Sequence, residues 1–501
     1  MVSGTLAQPS FRTPADVLID QAQRRPFEVA LVQHDRATLT FGQWMARATD
    51  AANCLTDLGI RKGSRVALLA GNPHLLDSAI AYIGILMCGG TVVTLCESAT
   101  AHEIEQAVMS TGAKLIVGPQ HVAIRLRVRQ VSFEETNRAS DVEFSSRADP
   151  SSTADIVFTS GTTGRHKGIV SSNWNVVVTA AAASVPSQLK TLVHGIPLHT
   201  YAGLHVGLLR CLVHGIRHRV LRAFGAAALV GAIGEERADM IYLTPTMAKL
   251  LTTLPTLEES SLRSVRLAYC FGARADPGVL AALDRILSRG VVVNVYGITE
   301  AGGAFVAMPY HPLRPESVGK PVDGTRVRVC DVDRRDLPPG KDGEIWLSSA
   351  ATASRRYIAE APAAGRDVFV GGWTRTGDLG HLDLEGYLYI TGRRKEIVNM
   401  GGTNVSAVEQ ETVLLRHPDV VEVAVIGRPD PLLGEQAVAA VVLRQRAELA
   451  SIEKYAASCF GSKLMPEFKI VGALPRNALG KVMKYELIQM LFDREQSALS
   501  D

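Results

Sequence analysis

The sequence of 501 residues lacks any pattern of paired cysteines. Its seven cysteines are an odd number, are widely scattered, and include no Cys-x-x-Cys pair. This pattern argues against a disulfide framework and a cysteine metal site, and it is typical of reduced thiols in the cytosol. The N-terminus also lacks a basic region followed by an apolar core, and the last residues are not a peroxisomal address. We therefore expect a cytoplasmic protein.

A large excess of charge of one sign is also absent. The chain has 53 Lys and Arg against 50 Asp and Glu, which gives a formal net charge of +3. Binding to nucleic acid or to a membrane surface usually needs concentrated basic charge, so we expect neither as a partner. The short basic stretch at residues 125–129 alternates arginine with Leu126 and Val128, which predicts the solvated face of a strand.

Long hydrophobic runs are scarce, and the segment 78–96 shows why one of them is not membrane-spanning. It is uncharged and mostly apolar, and it is nearly long enough to cross a bilayer. Gly89-Gly90 divides it into a helix-like half, residues 79–87, and a strand-like half, residues 91–95. The sequence therefore predicts a buried helix–turn–strand unit.

The chain is too long for one ordinary core, so we expect two or more domains. Over the first ~390 residues, short β-branched runs typical of buried strands recur at residues 65–69, 114–117, 240–243 and 291–295. Amphipathic stretches lie between them, at residues 41–58, 101–111 and 277–288. This alternation predicts layered α/β architecture with largely parallel sheets.

The pattern changes twice towards the C-terminus. A β-rich stretch, typical of a small antiparallel subdomain, has strand patterns at residues 326–331, 343–347 and 387–390. After Gly392 the sequence predicts a helix, two strands, a second helix and a last strand and helix, the first four at residues 406–416, 420–427, 437–444 and 450–463. That is a compact α+β unit of about a hundred residues, a reasonable size for a second domain.

Residues 159–168 form the most informative motif. They read Thr-Ser-Gly-Thr-Thr-Gly-Arg-His-Lys-Gly, directly after the apolar run 156–158. Such a loop offers unobstructed backbone N–H groups, hydroxyl donors and positive charge to a polyphosphate. It is not a Walker A loop, because Lys167 follows His166 and precedes Gly168.

Four further motifs follow in order along the chain. Each one alone also fits an ordinary turn, a surface acid or a solvated charge run. They are Asn-Val-Tyr-Gly-Ile-Thr-Glu at 294–300, Trp-Thr-Arg-Thr-Gly-Asp at 373–378, Gly-Arg-Arg-Lys-Glu at 392–396 and Pro-Arg-Asn-Ala-Leu-Gly-Lys at 475–481.

Together, the five motifs resemble those of the adenylate-forming superfamily, which includes acyl-CoA synthetases, nonribosomal-peptide adenylation domains and beetle luciferases. The resemblance begins near Leu39-Thr40-Phe41 and ends at Lys481. It implies an α/β fold with a large N-terminal AMP-binding domain, residues 1–394, that carries the small β-rich subdomain. A small mobile α+β C-terminal domain, residues 395–501, would follow. ATP and Mg²⁺ are the implied cofactors, and CoA is the expected co-substrate.

The resemblance implies a binding site for each part of ATP. The phosphates would be held by Thr159, Ser160, Gly161, Thr162, Thr163, Gly164 and Lys167. The adenine would be lined by Gly272, Ala273, Arg274, Asn294 and Tyr296, with Gly297 beside them in the nucleotide site. Asp378 and Arg393 would fix the ribose.

The resemblance also assigns four residues to the chemistry. Thr299 would contact the α-phosphate, Glu300 would ligate Mg²⁺, and Lys481 would bridge the substrate carboxylate and the α-phosphate. Lys395 would be the hinge about which the C-terminal domain rotates. The residue types suit the reaction, because a carboxylate must attack an anionic phosphate and cations offset that repulsion. No general base is needed, since the carboxylate is already ionised.

The acid pocket departs from the family pattern. Relatives typically read Pro-Leu-Phe-His-x-x-Gly-Leu where this chain has Pro197 to Leu204, which places His199 at the phenylalanine and Thr200 at the histidine. A one-residue shift would return the role to His199, so both assignments stay open. The neighbouring histidines are interpreted as structural: 194, 205, 214 and 218.

The residues assigned to the acid pocket are His199, Thr200, Tyr201, Gly203, Gly302, Gly303 and Ala304. The small residues at 302–304 are expected to leave volume, which favours an aryl or medium-sized acid. The absence of an aspartate between Pro197 and Leu204 argues against an α-amino acid.

The leading hypothesis is an ATP-dependent carboxylate–CoA ligase that proceeds through an acyl-adenylate. The alternative keeps the adenylation and changes the acceptor to a carrier-protein thiol, an amine or another small nucleophile. Luciferase-like oxygenation and a catalytically silent nucleotide-binding protein are more distant readings. The catalytically silent protein is disfavoured because four residues of the motifs are intact: Glu300, Asp378, Arg393 and Lys481.

Overall fold

The structure is a computed structural model. It describes residues 12–140, 142–159, 167–182, 185–322, 324–352, 354–358, 367–401, 403–445, 447–461, 464–477 and 480–497. Most of the phosphate loop, residues 160–166, lies outside these ranges. The described residues form two units, the first within 1–159, 166–327 and 347–375 and the second within 328–346 and 376–501.

The described α-helices are amphipathic or buried segments of four to seventeen residues. The α-helices are α1 (Pro14–Arg24), α2 (Phe41–Asp57), α3 (Leu75–Met87), α4 (Ala101–Thr111), α5 (Phe133–Thr136), α6 (Asn173–Ala181), α7 (Arg210–His214), α8 (Ala226–Glu236), α9 (Pro245–Thr252), α10 (Pro277–Ile286), α11 (Ala407–Leu414), α12 (Leu449–Phe460) and α13 (Lys484–Ser497). A π-helix spans Ala202–Leu209, directly before α7.

The strands alternate with these helices in the first unit and dominate parts of the second. They are β1 (Val29–Val32), β2 (Thr38–Thr40), β3 (Arg65–Ala70), β4 (Thr91–Cys96), β5 (Leu115–Gly118), β6 (Arg129–Ser132), β7 (Thr153–Thr159), β8 (Lys167–Ser172), β9 (Thr191–His194), β10 (Arg217–Val220), β11 (Met240–Leu243), β12 (Leu267–Cys270), β13 (Val291–Tyr296), β14 (Val306–Pro309), β15 (Ser317–Pro321), β16 (Arg326–Cys330), β17 (Gly343–Ser348), β18 (Arg356–Tyr357), β19 (Phe369–Val370), β20 (Trp373–Leu382), β21 (Leu388–Arg393), β22 (Ile397–Met400), β23 (Thr403–Ser406), β24 (Val420–Asp430), β25 (Gly434–Leu443) and β26 (Glu467–Ile470).

One sheet of the first unit has the order β18-β8-β7-β4-β3-β5-β6. Strands β3 to β7 pair in parallel, whereas β8 returns antiparallel to β7 and β18 antiparallel to β8. Strands β3, β4 and β5 are buried on both faces, as expected for near-continuous apolar runs. The predicted strands at 65–69 and 114–117 are confirmed here as β3 and β5.

A second sheet of the first unit contains the run β15-β14-β13-β12-β11-β9-β10-β1-β2. The strands from β13 to β1 pair in parallel, and β14 pairs antiparallel with β13. The predicted strands at 240–243 and 291–295 are confirmed as β11 and β13. The carboxyl ends of β12 and β13 lie at one edge of the sheet, which is where open α/β sheets bind ligands.

The predicted helix–turn–strand unit at 78–96 is confirmed as α3 followed by β4. Gly89 makes the turn with φ of 74°, a conformation that costs glycine little. Helix α3 lies in the core, and the indole N–H of Trp44 donates to the carbonyl of Ala79 at 3.1 Å. Among the helices that the structure describes, none is long and apolar enough to cross a membrane.

The prediction of a strand over 125–129 is wrong for all but its last residue, because β6 begins at Arg129. Burial still alternates along this segment, since Leu126 and Val128 pack against the core while the arginines are exposed. The chain is tied down through the side chain of Gln130, which bonds both backbone groups of Val122 at 2.8 Å. The alternation of apolar and charged residues therefore reflects packing of this segment on the core, and it does not require a partner strand.

The second unit is built on antiparallel strands. Asp378 pairs with Arg393 in the β20–β21 ladder. A five-stranded sheet has the order β23-β22-β25-β24, with β26 beside β25. Helices α11 and α12 cover one face, and Leu487 of α13 packs into a second apolar cluster. The predicted C-terminal helices and strands are confirmed, and the boundary between 394 and 395 stays a prediction.

Candidate active site

The residues predicted to line the adenine lie at one edge of the second sheet of the first unit. Cys270 of β12 pairs with Asn294 of β13, so Gly272 to Arg274 and the end of β13 emerge on the same side. Gly272 has a φ of 95° and leaves this turn exposed. The amide of Asn294 donates to the carbonyl of Ser317 at 3.2 Å, which fixes its orientation.

The strands on both sides of the phosphate loop hold its ends together. Thr159, the last residue of β7, pairs with Lys167, the first residue of β8, and its hydroxyl lies 3.5 Å from the Lys167 carbonyl oxygen. Five of the residues predicted to hold the phosphates lie outside the described residues: Ser160, Gly161, Thr162, Thr163 and Gly164. The Lys167 ammonium lies 5.2 Å from the centroid of the Tyr357 ring, within cation–π range.

Tyr357 connects this lysine to Glu300. Its hydroxyl donates to Oε1 of Glu300 at 3.0 Å, and burial, together with the Glu300 carboxylate, raises the pKa of the phenol. The tyrosine therefore remains a protonated donor. Glu300 lies in a short 3₁₀ helix, Thr299–Ala301, just beyond the end of β13.

Glu300 fits a magnesium ligand. A carboxylate oxygen is a hard donor, and its second oxygen, Oε2, makes no hydrogen bond within the described ranges. The described residues contain no cluster of three or more His, Cys, Asp or Glu that could hold a metal by itself. A single carboxylate suits Mg²⁺, which usually takes its other ligands from water and substrate phosphates.

Arg355 holds Thr299, the first residue of this helix, in place. Its Nη1 donates to the carbonyl of Thr299 at 2.7 Å, and its Nε donates to the carbonyl of Ala351 at 3.1 Å. Arg355 is only 4% exposed, so the cation is nearly desolvated. Its guanidinium carbon also lies 5.4 Å from the centroid of the Tyr201 ring.

The segment with the altered histidine pattern forms a tight turn before the π-helix. The hydroxyl of Thr200 donates to the Pro197 carbonyl at 2.7 Å and accepts from the N–H of Gly203 at 3.1 Å. Its side chain is thus committed to the turn. Burial lowers the pKa of His199 to about 4, partly opposed by Glu97, so its imidazole is neutral at pH 7.

The glycines assigned to the acid pocket are closely packed within the first unit. A methyl group on Gly203 would lie 2.1 Å from the Pro197 carbonyl oxygen, and one on Gly302 would lie 2.7 Å from the Arg355 Nε. One on Gly303 would lie 3.1 Å from the Thr179 backbone. Ala304 is fully buried. The expected free volume is therefore taken up by protein at 302 and 303, and the pocket assignment stays a prediction.

In the second unit, Asp378 and Arg393 form a close ion pair. Nε of Arg393 lies 2.5 Å from Oδ1 of Asp378, and the carboxylate is 3% exposed. The backbone N–H of Asp378 donates to the hydroxyl of Thr376, which donates to the carbonyl of Ile345 at 2.7 Å. Ladder pairing and these bonds fix the carboxylate that is predicted to bind ribose.

Lys481 belongs to the same polar group of the second unit. Burial and the nearby Arg393 lower the pKa of its ammonium to about 8, while Glu396 and Asp378 oppose the shift. Its loop is closed by Asn477, whose Oδ1 accepts from the Lys481 N–H at 3.0 Å and whose N–H donates to the Lys481 carbonyl at 2.9 Å. The structure thus groups Lys481 with both predicted ribose ligands.

The predicted hinge lies beside a half-buried ion triad. Lys395 is exposed in a 3₁₀ turn, whereas the next residue, Glu396, accepts from the Lys484 ammonium at 2.7 Å. The same ammonium lies 2.7 Å from Oε1 of Glu411, which also accepts from the N–H of Val425. Burial alone would lower the pKa of Lys484, but the carboxylates of Glu411 and Glu396 raise it. The pKa of Lys484 is raised on balance.

Sequence reasoning missed Arg355, Tyr357, Lys484 and Asp155, which is the buried partner of His205, a histidine that it interpreted as structural. Nε2 of His205 lies 2.7 Å from Oδ2 of Asp155, and both side chains are fully buried. These residues lie outside the five motifs, and their partners are distant in sequence. The weak signal was a charge within an otherwise buried strand, as at Asp155 in β7.

Comparison with known proteins places these features in one family. The family described as AMP-binding enzyme matches residues 18–357, and the AMP-binding enzyme C-terminal domain matches residues 409–481. The sulfoacetate–CoA ligase of Cupriavidus necator is 29% identical, with 95% of this chain and 98% of that protein covered.

Two solved structures share the fold over nearly the whole chain. The o-succinylbenzoate CoA synthetase of Bacillus subtilis, in complex with its acyl-adenylate intermediate, gives a TM-score of 0.83 at 26% identity, covering 94% of this chain and 97% of that one. The amide bond synthetase of Marinactinospora thermotolerans gives 0.82 at 27% identity, covering 95% and 99%.

Proposed function

The chain belongs to the AMP-binding enzyme family, and from that premise we propose that it is an AMP-forming carboxylate–CoA ligase. It activates a carboxylic acid with ATP as an acyl-adenylate, releases pyrophosphate, and transfers the acyl group to CoA. The observation that carries the proposal is the grouping of Lys481 with Asp378 and Arg393 in one unit. A cation beside a ribose-binding pair suits attack on the α-phosphate.

In the first half-reaction, the substrate carboxylate attacks the α-phosphate, the P–O bond to the β-phosphate breaks, and pyrophosphate leaves. Lys481, as an ammonium, binds both anions and stabilises the charge of the transition state. Asp378 accepts hydrogen bonds from the ribose, and Arg393 holds that carboxylate in place. These groups orient the nucleotide for an in-line displacement.

In the first unit, Thr299 faces the α-phosphate and Glu300 serves as the magnesium ligand. Arg355 fixes the Thr299 backbone and Tyr357 fixes the Glu300 carboxylate, so both groups are pre-organised. Mg²⁺, when bound, neutralises phosphate charge and favours departure of pyrophosphate. Thr159 and Lys167 hold the phosphate loop at its base.

In the second half-reaction, the CoA thiolate attacks the acyl carbon and AMP leaves. The family resemblance assigns this step to a rotation of the C-terminal domain about Lys395. The acid is proposed to be an aryl or medium-sized acid, and it is activated without an ammonium-binding aspartate in the 197–204 segment. Relatives named as CoA ligases support the thiol acceptor, and the amide bond synthetase supports an amine as the alternative.

The test is to incubate the purified protein with Mg-ATP and a panel of aryl and alkyl acids. Each acid is assayed with CoA, with a simple primary amine, and without an acceptor, and products are identified by mass spectrometry. We expect pyrophosphate with a subset of acids and acyl-CoA only when CoA is present. Acyl-AMP that accumulates in the presence of CoA, and amide formed with the amine, would instead assign the chain to amide synthesis.

A further inference from the structure

A histidine and a carboxylate that the proposed mechanism does not use lie at one edge of the sheet that contains β3, β4 and β7. Nδ1 of His74 lies 2.9 Å from Oε2 of Glu97. His74 ends the short 3₁₀ helix Asn72–His74 that follows β3, and Glu97 is the residue after β4. The two strands pair in parallel, so their carboxyl ends emerge at the same edge. The sheet topology therefore brings together two side chains that are distant in sequence.

The phosphate loop begins at the same edge. Strand β4 is also the parallel neighbour of β7, and Thr94 of β4 pairs with Val157 of β7. When this register is continued, Cys96 lies level with Thr159, the last residue of β7. Glu97 therefore lies just beyond the end of the strand that leads into the phosphate loop. Ligands of open α/β sheets bind at this kind of edge.

The turn after β3 also contacts the segment that is assigned to the acid pocket. Oδ1 of Asn72 accepts from the N–H of Leu198 at 2.8 Å, directly before His199. A methyl group on Gly71 would lie 2.0 Å from the carboxyl group of Glu97, so that group lies against the turn. Glu97 is also near enough to His199 to oppose the burial that lowers the pKa of its imidazole. One turn thus joins the pair to the segment where the acyl group is proposed to bind.

The hydrogen bond to Glu97 decides which nitrogen of His74 can act as a base. A carboxylate can only accept, so Nδ1 carries the proton, and Nε2 of the neutral ring keeps its lone pair. Nε2 makes no hydrogen bond to another described residue. The side chain of His74 is 41% exposed and that of Glu97 is 18% exposed, so a substrate can reach the imidazole while its partner is mostly covered. A carboxylate that orients an imidazole in this way prepares it for proton transfer.

We propose that His74, positioned by Glu97, takes the proton of the acceptor during acyl transfer. This inference rests on the proposed function and adds a base to its second half-reaction. The S–H bond of CoA breaks, the sulfur bonds to the acyl carbon, and AMP leaves with the electron pair of the bond between that carbon and the phosphate oxygen. The proton goes to Nε2 of His74 and then to water. A thiol is mostly protonated at neutral pH and reacts as the thiolate, so removal of its proton speeds transfer.

The test measures the two half-reactions separately. Adenylation is followed as pyrophosphate release in a single turnover without an acceptor. Transfer is followed from the synthetic acyl-AMP of an acid that supports adenylation, with CoA or with the acceptor that product analysis identifies. His74→Gln should slow transfer about 10²–10⁴-fold, the usual contribution of a positioned base. It should leave adenylation nearly unchanged, because the attacking carboxylate has no proton to lose.

Glu97 is tested as a positioning residue. Glu97→Gln keeps the size of the side chain but can donate to Nδ1, which favours the wrong tautomer of His74, so kcat for transfer should fall with little change in KM for CoA. The same substitution in the His74→Gln background should cost nothing further, because the carboxylate acts only through the imidazole. Added imidazole should restore part of the transfer rate of His74→Ala. His121→Gln is the matched control, because His121 lies 3.6 Å from Glu135 in a more exposed pair of the same unit.

Other results would overturn the inference. Equal losses of adenylation and transfer in His74→Gln, or additive losses in the double variant, would make the pair structural. Transfer that survives in His74→Gln and is lost in His199→Gln would move the base to that second histidine. Absence of pyrophosphate release with every acid would instead remove the proposed function, and the inference with it.

Discussion

At the residue scale, the environment of Lys481 sets its pH dependence. Its ammonium, the form that binds anions, has a pKa lowered to about 8, chiefly by burial. The cation is therefore present below pH 8 and is lost above it. We expect kcat/KM for pyrophosphate release to fall about tenfold per pH unit above that value, because kcat/KM reports pKa values of the free enzyme.

Replacement of this lysine should separate the two half-reactions. Lys481→Met removes the cation from the α-phosphate and should slow acyl-adenylate formation by about 10²–10³, the usual cost of an aligned transition-state donor. The same variant should still convert synthetic acyl-AMP and CoA to acyl-CoA. If adenylation kept its wild-type rate, the assigned role of Lys481 would be wrong.

Tyr357 is predicted to act on magnesium through Glu300. Tyr357→Phe removes one hydrogen bond to the carboxylate, worth about 0.5–1.5 kcal/mol, and should raise the Mg²⁺ concentration for half-maximal activity roughly 3–10-fold. Titration of Mg²⁺ at saturating ATP measures this shift. Tyr310→Phe, a half-buried tyrosine of the same unit, is the control. An unchanged magnesium dependence would remove Tyr357 from the site.

At the scale of elements, the sequence predicts strands and helices well where one pattern dominates. The predicted bounds of the apolar run of β11 and of the amphipathic stretch of α4 match the structure to the residue. The strand prediction fails at residues 125–128 because alternating burial also arises in an irregular segment that packs on the core without a partner strand. The π-helix at 202–209 carries no pattern of its own, and it follows the turn that Thr200 closes.

Some residues of the candidate site could likewise be predicted from the sequence, and others could not. Short motifs reveal residues whose chemistry requires a fixed local spacing, such as Asp378 after Gly377. Residues that act through distant partners leave no such signal, and Arg355 reaches Thr299 across 56 positions. Their function depends on packing that only the folded chain creates.

The ion triad of Lys484 predicts a coupling between α13 and the start of the second unit's sheet. Lys484→Met leaves Glu396 and Glu411 without their cation, at a cost of about 2 kcal/mol, below the value for fully buried pairs because each side chain is about one-fifth exposed. Urea unfolding measures the loss. Lys454→Met, at an exposed lysine of α12, should change stability little.

The hinge prediction concerns the segment after β21. Lys395→Pro fixes one backbone angle at the proposed pivot and should slow thioester formation from acyl-AMP more than adenylation. Lys395→Ala is the matched control, since it removes the exposed side chain and leaves the backbone free to rotate. Equal effects of Lys395→Pro on both steps would contradict rotation about this residue.

At the scale of the whole molecule, two buried histidines predict sensitivity to acid. Nε2 of His194 lies 2.7 Å from Nε2 of His218, and both rings are fully buried. Nδ1 of His194 accepts from the N–H of Ile196, so one proton is shared between the facing nitrogens. Burial lowers the pKa of His194 to about 3, and burial together with the neighbouring His194 lowers the pKa of His218 well below its usual value.

The lowered pKa values of these two histidines make the folded protein less stable in acid. The unfolded histidines take up protons below about pH 6.5 while the folded ones do not, so stability falls as pH falls, by about 1.4 kcal/mol per unit and histidine. Urea midpoints between pH 7 and 5.5 test this, because carboxylates are still ionised there. Burial also lowers the pKa of His199 and His214 to about 4, so His218→Gln should reduce the slope by about a quarter. His102→Gln, at an exposed histidine, should preserve it. A slope that His218→Gln leaves intact would exclude this pair as its source.

Lys481 and Lys484 are three positions apart, yet their pKa values are shifted in opposite directions. At pH 7 about a tenth of Lys481 is a free amine, whereas Lys484 is almost wholly charged. Amine-selective acylating reagents should therefore label Lys481 first. We expect the same free amine to react with the acyl-adenylate when no acceptor is present, so that prompt transfer of the acyl group to CoA would limit self-acylation.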